Sequence, residues 1–176
     1  MNLELLRALV REVPDFPEPG IDFKDITPLL ADADGFAFSV NELSSRFAHS
    51  GIDLVVGIEA RGFVFSAPVA HALGVGLVPI RKPGKLPHVT DSVTYSLEYG
   101  GDTLEIHTDA IGHGARCLIV DDVLATGGTA AAAAELVTRQ GGDLVGFGFL
   151  AELGFLHGRA KLGSDEIIEA LIVYEE

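Results

Sequence analysis

Asp121 and Asp122 stand side by side at the end of an apolar run, and the turn Ala125-Thr126-Gly127-Gly128-Thr129 follows at once. Adjacent carboxylates repel each other, and burial makes each costly unless a partner takes up its lone pairs. Two neighbouring hydroxyl groups, as on a ribose, would do so through charge-assisted hydrogen bonds. The turn offers different chemistry. Its paired glycines let the backbone bend tightly and approach a ligand closely. A helix starting there leaves its first N–H groups unpaired, beside the positive end of its dipole. Such an end binds phosphate, and the hydroxyls of Thr126 and Thr129 add donors. Together the two features suit a phosphorylated pentose. Competing phosphate motifs fit worse, because the chain has no G-x-x-x-x-G-K-[ST] and no G-x-G-x-x-G after a strand.

These groups need a scaffold. DLVVGI (53–58), VGLVPI (75–80), LIVDDV (from 118) and DLVGFGFLAEL (from 143) are apolar without alternation, as in strands covered on both faces. RGFVFSAPVAHALG and the alanine block after Thr129 read as intervening helices, and EIIEALIVYEE supplies a last strand. The pattern predicts an α/β fold with a mostly parallel central sheet flanked by helices, in a single domain over 1–176. Ligands bind beyond the carboxyl ends of such strands. Residues 2–12 read as a short amphipathic helix ended by Pro14, and 34–48 as a helix capped by Asp34. The proline- and glycine-rich stretch 14–28 reads as an ordered loop. SVTYSLEYG and GDTLEIHT alternate apolar and polar residues around Gly100-Gly101, which signals a hairpin or meander. The basic stretch RKPGKLPHVTDS before them reads as a mobile loop.

Composition bounds the partners. A formal net charge of −14 over 176 residues disfavours nucleic acid and anionic membranes. An anionic substrate would then need a locally basic site or backbone N–H groups. No apolar stretch reaches the roughly 18 residues of a bilayer span, and MNLELLRALVREV does not resemble a secretory signal, so a cytoplasmic location is expected. The single cysteine, Cys117, lies inside the apolar run and reads as a buried, inert thiol. The six histidines form no H-x-x-x-H or Cys/His cluster, so no metal held directly by the protein is expected.

The segment VDDVLATGGT resembles the phosphoribosyl-diphosphate motif of the type I phosphoribosyltransferases. FPEPGIDFKDITPLL, GIEARGF (57–63), IRKPGKLP (80–87) and YSLEYG (95–100) match that family in order and spacing, over about residues 11–162. The first and last of these narrow the resemblance to the adenine-using branch. It implies the type I phosphoribosyltransferase fold, with a small N-terminal hood over about residues 1–30 and a mobile loop over about 82–94. It also implies purine salvage: adenine and 5-phosphoribosyl-1-diphosphate give AMP and diphosphate, with Mg²⁺ carried by the diphosphate substrate. A homodimer is expected on the same ground.

The resemblance assigns roles residue by residue. Asp121 and Asp122 would hold the ribose hydroxyls, directly or through Mg²⁺-bound water, and residues Ala125, Thr126, Gly127, Gly128 and Thr129 the 5′-phosphate. Glu59, Ala60 and Arg61 would bind diphosphate, joined by the basic cluster Arg81, Lys82 and Lys85. Glu98 corresponds to the catalytic carboxylate that manages the purine proton. Tyr99 would help the loop close over the site. Phe23 and Val123 would sandwich adenine, with main-chain groups of Asp22 and Lys24 reading its edge. Asp22 and Lys24 depart from the apolar residue and arginine frequent at those positions, so a side-chain role there would alter purine preference. Two rival readings are a transferase for xanthine or hypoxanthine and a non-catalytic sensor of the diphosphate donor. The sensor fits less well, because no DNA-binding domain or basic face accompanies the motif.

Overall fold

A computed structural model of the chain describes residues 1–97, 100–163 and 166–175, so Glu98 and Tyr99 lie outside the described residues. In chain order its elements are α1 (Leu3–Ala8), β1 (Arg11–Val13), β2 (Phe23–Asp25), α2 (Thr27–Ala31), α3 (Ala33–Phe47), β3 (Leu54–Ile58) and α4 (Gly62–Leu73). Then follow β4 (Gly76–Ile80), β5 (Thr90–Leu97), β6 (Gly100–His107), β7 (Arg116–Leu124), α5 (Gly128–Arg139), β8 (Asp143–Leu153) and β9 (Ile167–Tyr174).

The unalternating apolar runs form one parallel sheet of five strands in the order β4-β3-β7-β8-β9. Successive side chains of a strand point to opposite faces, so each run supplies two cores. Val55, Leu118 and Val120 pack with Phe47 and Phe65 under α3 and α4. Val56, Ile119, Phe147 and Phe149 pack on the other face with Ala130, Ala133 and Val137 of α5. All four phenylalanines are fully buried, each stabilising the fold by about 1.5–3 kcal/mol. The chain leaves β3 for β4 on one side and returns to β7 on the other. That reversal opens a crevice beyond the carboxyl ends of β3 and β7, the place where doubly wound sheets bind ligands.

Four local expectations need correction. The first helix stops at Ala8, and residues 11–13 pair antiparallel with 23–25 as β1–β2, so the stretch 14–28 is partly strand. Asp32, not Asp34, caps α3, its Oδ1 accepting from the Gly35 N–H at 2.7 Å. Gly100 and Gly101 begin β6, opposite Leu97 and Ser96, instead of forming the turn. Residues 90–94 of the expected loop belong to β5 and pair with 103–107. In each case non-local pairing or a side-chain cap overrides a local signal. No helix among the described residues is long and apolar enough to cross a membrane.

Candidate active site

A cavity of about 620 Å³ occupies the crevice. Ile58 to Arg61 line it from the end of β3, Asp121 to Leu124 from the end of β7, and Ala125 to Ala130 from the turn and first residues of α5. Ile21 to Lys24 of the hood, Lys82, Tyr95, Asp102 and Leu153 complete its wall.

The two aspartates are buried, yet they meet different surroundings. Asp122 Oδ2 accepts from Arg61 Nε at 2.5 Å. Asp121 lies against the start of α4, where any side chain at Gly62 would collide with its Oδ1. That same oxygen accepts the Asp122 N–H at 2.9 Å. Burial first, and the neighbouring Asp122 charge second, push the Asp121 carboxyl well above the usual carboxylate range. An Asp121 carboxyl that keeps its proton can donate, and once ionised it accepts from a diol hydroxyl.

The phosphate turn is shaped by close backbone approach. Gly127 sits at φ +80°, and a Cβ there would strike the Gly158 carbonyl. A Cβ on Gly158 would in turn strike the Ala125 carbonyl. The 158–161 turn that presses on this bend is itself clamped, because Arg159 Nη2 and Nε grip the buried Glu152 at 2.7 and 2.8 Å. Among the described residues no side chain caps α5, so its first-turn N–H groups are available to an anion in the cavity they line.

The cations are engaged by carboxylates. Glu59 turns to the basic cluster: Lys85 Nζ donates to its Oε1 at 2.5 Å, Arg81 Nη2 at 3.3 Å, and the Lys82 N–H to Oε2 at 3.0 Å. The Lys85 hydrogen bond, then the Lys82 amide and Arg81, hold the Glu59 carboxyl down to about 2 against the opposing effect of burial. Arg81 and Lys85 do not line the cavity, whereas Lys82 does and forms an ion pair with Asp102. Arg61, about half exposed, pairs with Asp122 and lies 5.5 Å from the centre of the Phe23 ring.

At the other end, Phe23 and Val123 both border the cavity. Phe23 meets Phe16 edge to face at 5.2 Å. The Lys24 side chain turns away, donating to Glu12 at 2.6 Å and lying 4.7 Å from the centre of the Tyr174 ring. Its ammonium is therefore occupied elsewhere, which leaves the main chain of the 22–24 segment to face a ligand. Asp22 is exposed on the same wall.

Asp22, Phe23, Lys24, Glu59, Ala60, Arg61, Lys82, Asp121, Asp122, Val123 and residues 125–129 thus share one cavity. Sequence reasoning missed Tyr95 and Asp102, which face it from the hairpin. The alternation in SVTYSLEYG puts Tyr95 on the apolar face of its strand, a signal that was available. Cys117 is buried, and burial pushes its thiol up to about 11, as an inert core residue requires.

Residues 22–162 match the phosphoribosyl transferase domain family. The chain is 54% identical over 165 residues to the adenine phosphoribosyltransferase of Anaeromyxobacter dehalogenans, covering 94% of this chain and 96% of that one. It is 56% identical over 169 residues to the Cyanothece enzyme of the same name, covering 96% and 99%. Among solved structures it resembles the adenine phosphoribosyltransferase of Thermoanaerobacter pseudethanolicus, with a TM-score of 0.95, 53% identity and coverage of 98% and 100%. The Saccharomyces cerevisiae enzyme, solved with adenine and an imino-altritol bisphosphate, superposes with a TM-score of 0.89 at 41% identity, covering 96% and 97%.

Proposed function

The chain belongs to the phosphoribosyltransferase family, and from that premise we infer how its cavity works. Its activity is adenine phosphoribosyl transfer: adenine and 5-phosphoribosyl-1-diphosphate give AMP and diphosphate. In the reaction the bond from the anomeric carbon to diphosphate breaks, its electron pair leaving with diphosphate. A bond from the purine ring nitrogen forms, and that nitrogen loses its proton.

The observation that carries the residue assignment is the opening of the carboxylate pair and the amide-lined turn onto one cavity. Residues 125–129 hold the 5′-phosphate, and Asp121 and Asp122 hold the ribose hydroxyls. Their negative charge favours the positive charge that develops at the anomeric carbon. Arg61 and Lys82 hold diphosphate, which competes with Asp122 and Asp102 for them. Exchange of Arg61 to diphosphate frees Asp122 for the sugar, so one displacement prepares both groups. Glu59 serves by organising Arg81 and Lys85 instead of touching the anion. Phe23 and Val123 sandwich adenine. Glu98, whose support is the YSLEYG motif, accepts the purine proton, and Tyr99 helps residues 82–89, the part of the basic stretch outside β5, close over the site.

Among the described residues no three His, Cys, Asp or Glu side chains gather as a metal cage. Paired carboxylates beside a diphosphate nonetheless fit Mg²⁺, which keeps its waters and binds through one or two carboxylates plus substrate phosphates. Asp121 and Asp122 would hold it through those waters, and it would neutralise charge on the departing diphosphate. Arg81 and Lys85 stand outside their own chain's cavity, which suits a homodimer in which they serve a second copy. Turnover of adenine, guanine, hypoxanthine and xanthine, followed by chromatography, tests the substrate: AMP from adenine is expected, and turnover of an oxopurine without adenine would overturn it.

A further inference from the structure

Tyr95 and Asp102 face each other across the β5–β6 ladder, so their side chains lie on one side of the hairpin. That hairpin is seated firmly on α5. Val93, Leu104 and Ile106 are buried with Ala130, Ala133 and Val137. Arg139, at the end of α5, donates to the Ser92 carbonyl at 3.1 Å. Held there, the Tyr95 hydroxyl stands 3.0 Å from Thr129 Oγ1 and 3.2 Å from Asp102 Oδ2. Asp102 Oδ2 also accepts from Lys82, while Oδ1 accepts the Thr103 N–H at 2.8 Å. A hydrogen-bonded path therefore runs from the phosphate turn, through Thr129, Tyr95 and Asp102, to Lys82. All four side chains border the cavity.

Counting protons gives the path a direction. The Lys82 hydrogen bond holds the Asp102 carboxyl below its usual range, so near neutral pH it accepts and cannot donate. Tyr95 has one hydroxyl proton. Given to Asp102, it leaves the Tyr95 oxygen to accept the proton of Thr129. The Thr129 hydroxyl then has no proton for an anion at the turn. A phosphate there draws the Thr129 proton to itself, and the Tyr95 proton can turn to the Thr129 oxygen. Asp102, short of one donor, then holds Lys82 more tightly. Conversely, when an anion draws Lys82 away, Asp102 retains the Tyr95 proton, and Thr129 is drawn back to Tyr95.

Resting on the assignment of residues 125–129 to phosphate and Lys82 to diphosphate, we propose that Tyr95 and Asp102 are positioning residues that set the grip on the 5′-phosphate against the grip on diphosphate. Neither touches the reacting atoms. Their effect is an antagonism between the two anion subsites, beyond the direct repulsion between the ligands.

Calorimetric titration tests this with ribose 5-phosphate and inorganic diphosphate, magnesium being present throughout. The diphosphate affinity is measured alone and at saturating ribose 5-phosphate, in the wild type, Tyr95→Phe, Asp102→Asn and the double variant. In the wild type the second ligand should weaken the first by roughly fivefold more than in either variant, the range of a single exchanged hydrogen bond. The two single variants should fall to the same residual factor, and the double variant should fall no further. A purely structural role would shift each affinity without changing their ratio. Equal coupling factors in wild type and both single variants would overturn the proposal. If one variant melts below the assay temperature, the other carries the comparison. Failure of the wild type to bind either ligand in competition with AMP would instead overturn the assignment of the subsites themselves.

Discussion

Asp121→Asn should make the protein more stable and less active, with a pH dependence that reports on the buried carboxyl. Asn preserves the shape and the Oδ1 acceptor that receives the Asp122 N–H at 2.9 Å. What it removes is a charge disfavoured by burial and by Asp122. Because the native pKa of Asp121 is raised above 3.8, the folded state binds its proton more tightly than the unfolded state does. Its contribution is therefore most favourable below the unfolded pKa and is lost as pH rises toward the native pKa. Between those limits the loss approaches about 1.4 kcal/mol per pH unit. For a chain of this size that corresponds to about 3–5 °C in Tm per pH unit. Wild type and variant should change little relative to each other below pH 4, with the variant gaining steadily above it until the difference levels off at the native pKa. Groups such as Glu59 titrate in both proteins and cancel in the difference. Thermal melts from pH 3.5 to 8, read by circular dichroism, measure it. Turnover at pH 7 should fall by roughly 10- to 100-fold, the loss of one charge-assisted hydrogen bond to the sugar. A Tm difference flat across that range, or a variant less stable at pH 7, would refute the claim that Asp121 is a destabilised carboxyl retained for its chemistry.

Three further outcomes follow from the same geometry. Arg61→Ala should raise the KM for the diphosphate donor by about 10- to 100-fold, because a charged hydrogen bond is lost; steady-state kinetics with varied donor decide it. Gly127→Ala places a Cβ at φ +80° against the Gly158 carbonyl, so a stability loss of about 2–4 kcal/mol is expected in chemical denaturation. A variant as stable as the wild type would show that the turn relaxes freely. Glu98→Gln should slow the chemical step while binding of the sugar donor persists, and single-turnover rates equal to wild type would remove its assigned role.

The types of chemistry and the alternation of strands with helices are legible in the chain alone. Unalternating runs such as DLVVGI and LIVDDV are legible because a strand covered on both faces must be apolar at every position. The carboxylate pair and the Thr-Gly-Gly-Thr turn are legible because both devices are local: one strand end and one helix start contain them. Partnership was not legible. Nothing in EARGF or RKPGK dictates that Arg61 meets Asp122, or that Glu59 gathers Lys85 and Arg81, since each pairing depends on how strands far apart in the chain end beside one another. Tyr95 and Asp102 joined the site only because the β5–β6 register faces them toward Thr129; a slip of one residue would turn Tyr95 to the opposite face. The unequal surroundings of Asp121 and Asp122 are likewise tertiary, because burial depends on what packs against a side chain, and here that is the start of α4. Charges written in the chain become a site only when long-range packing decides which of them share low-dielectric space.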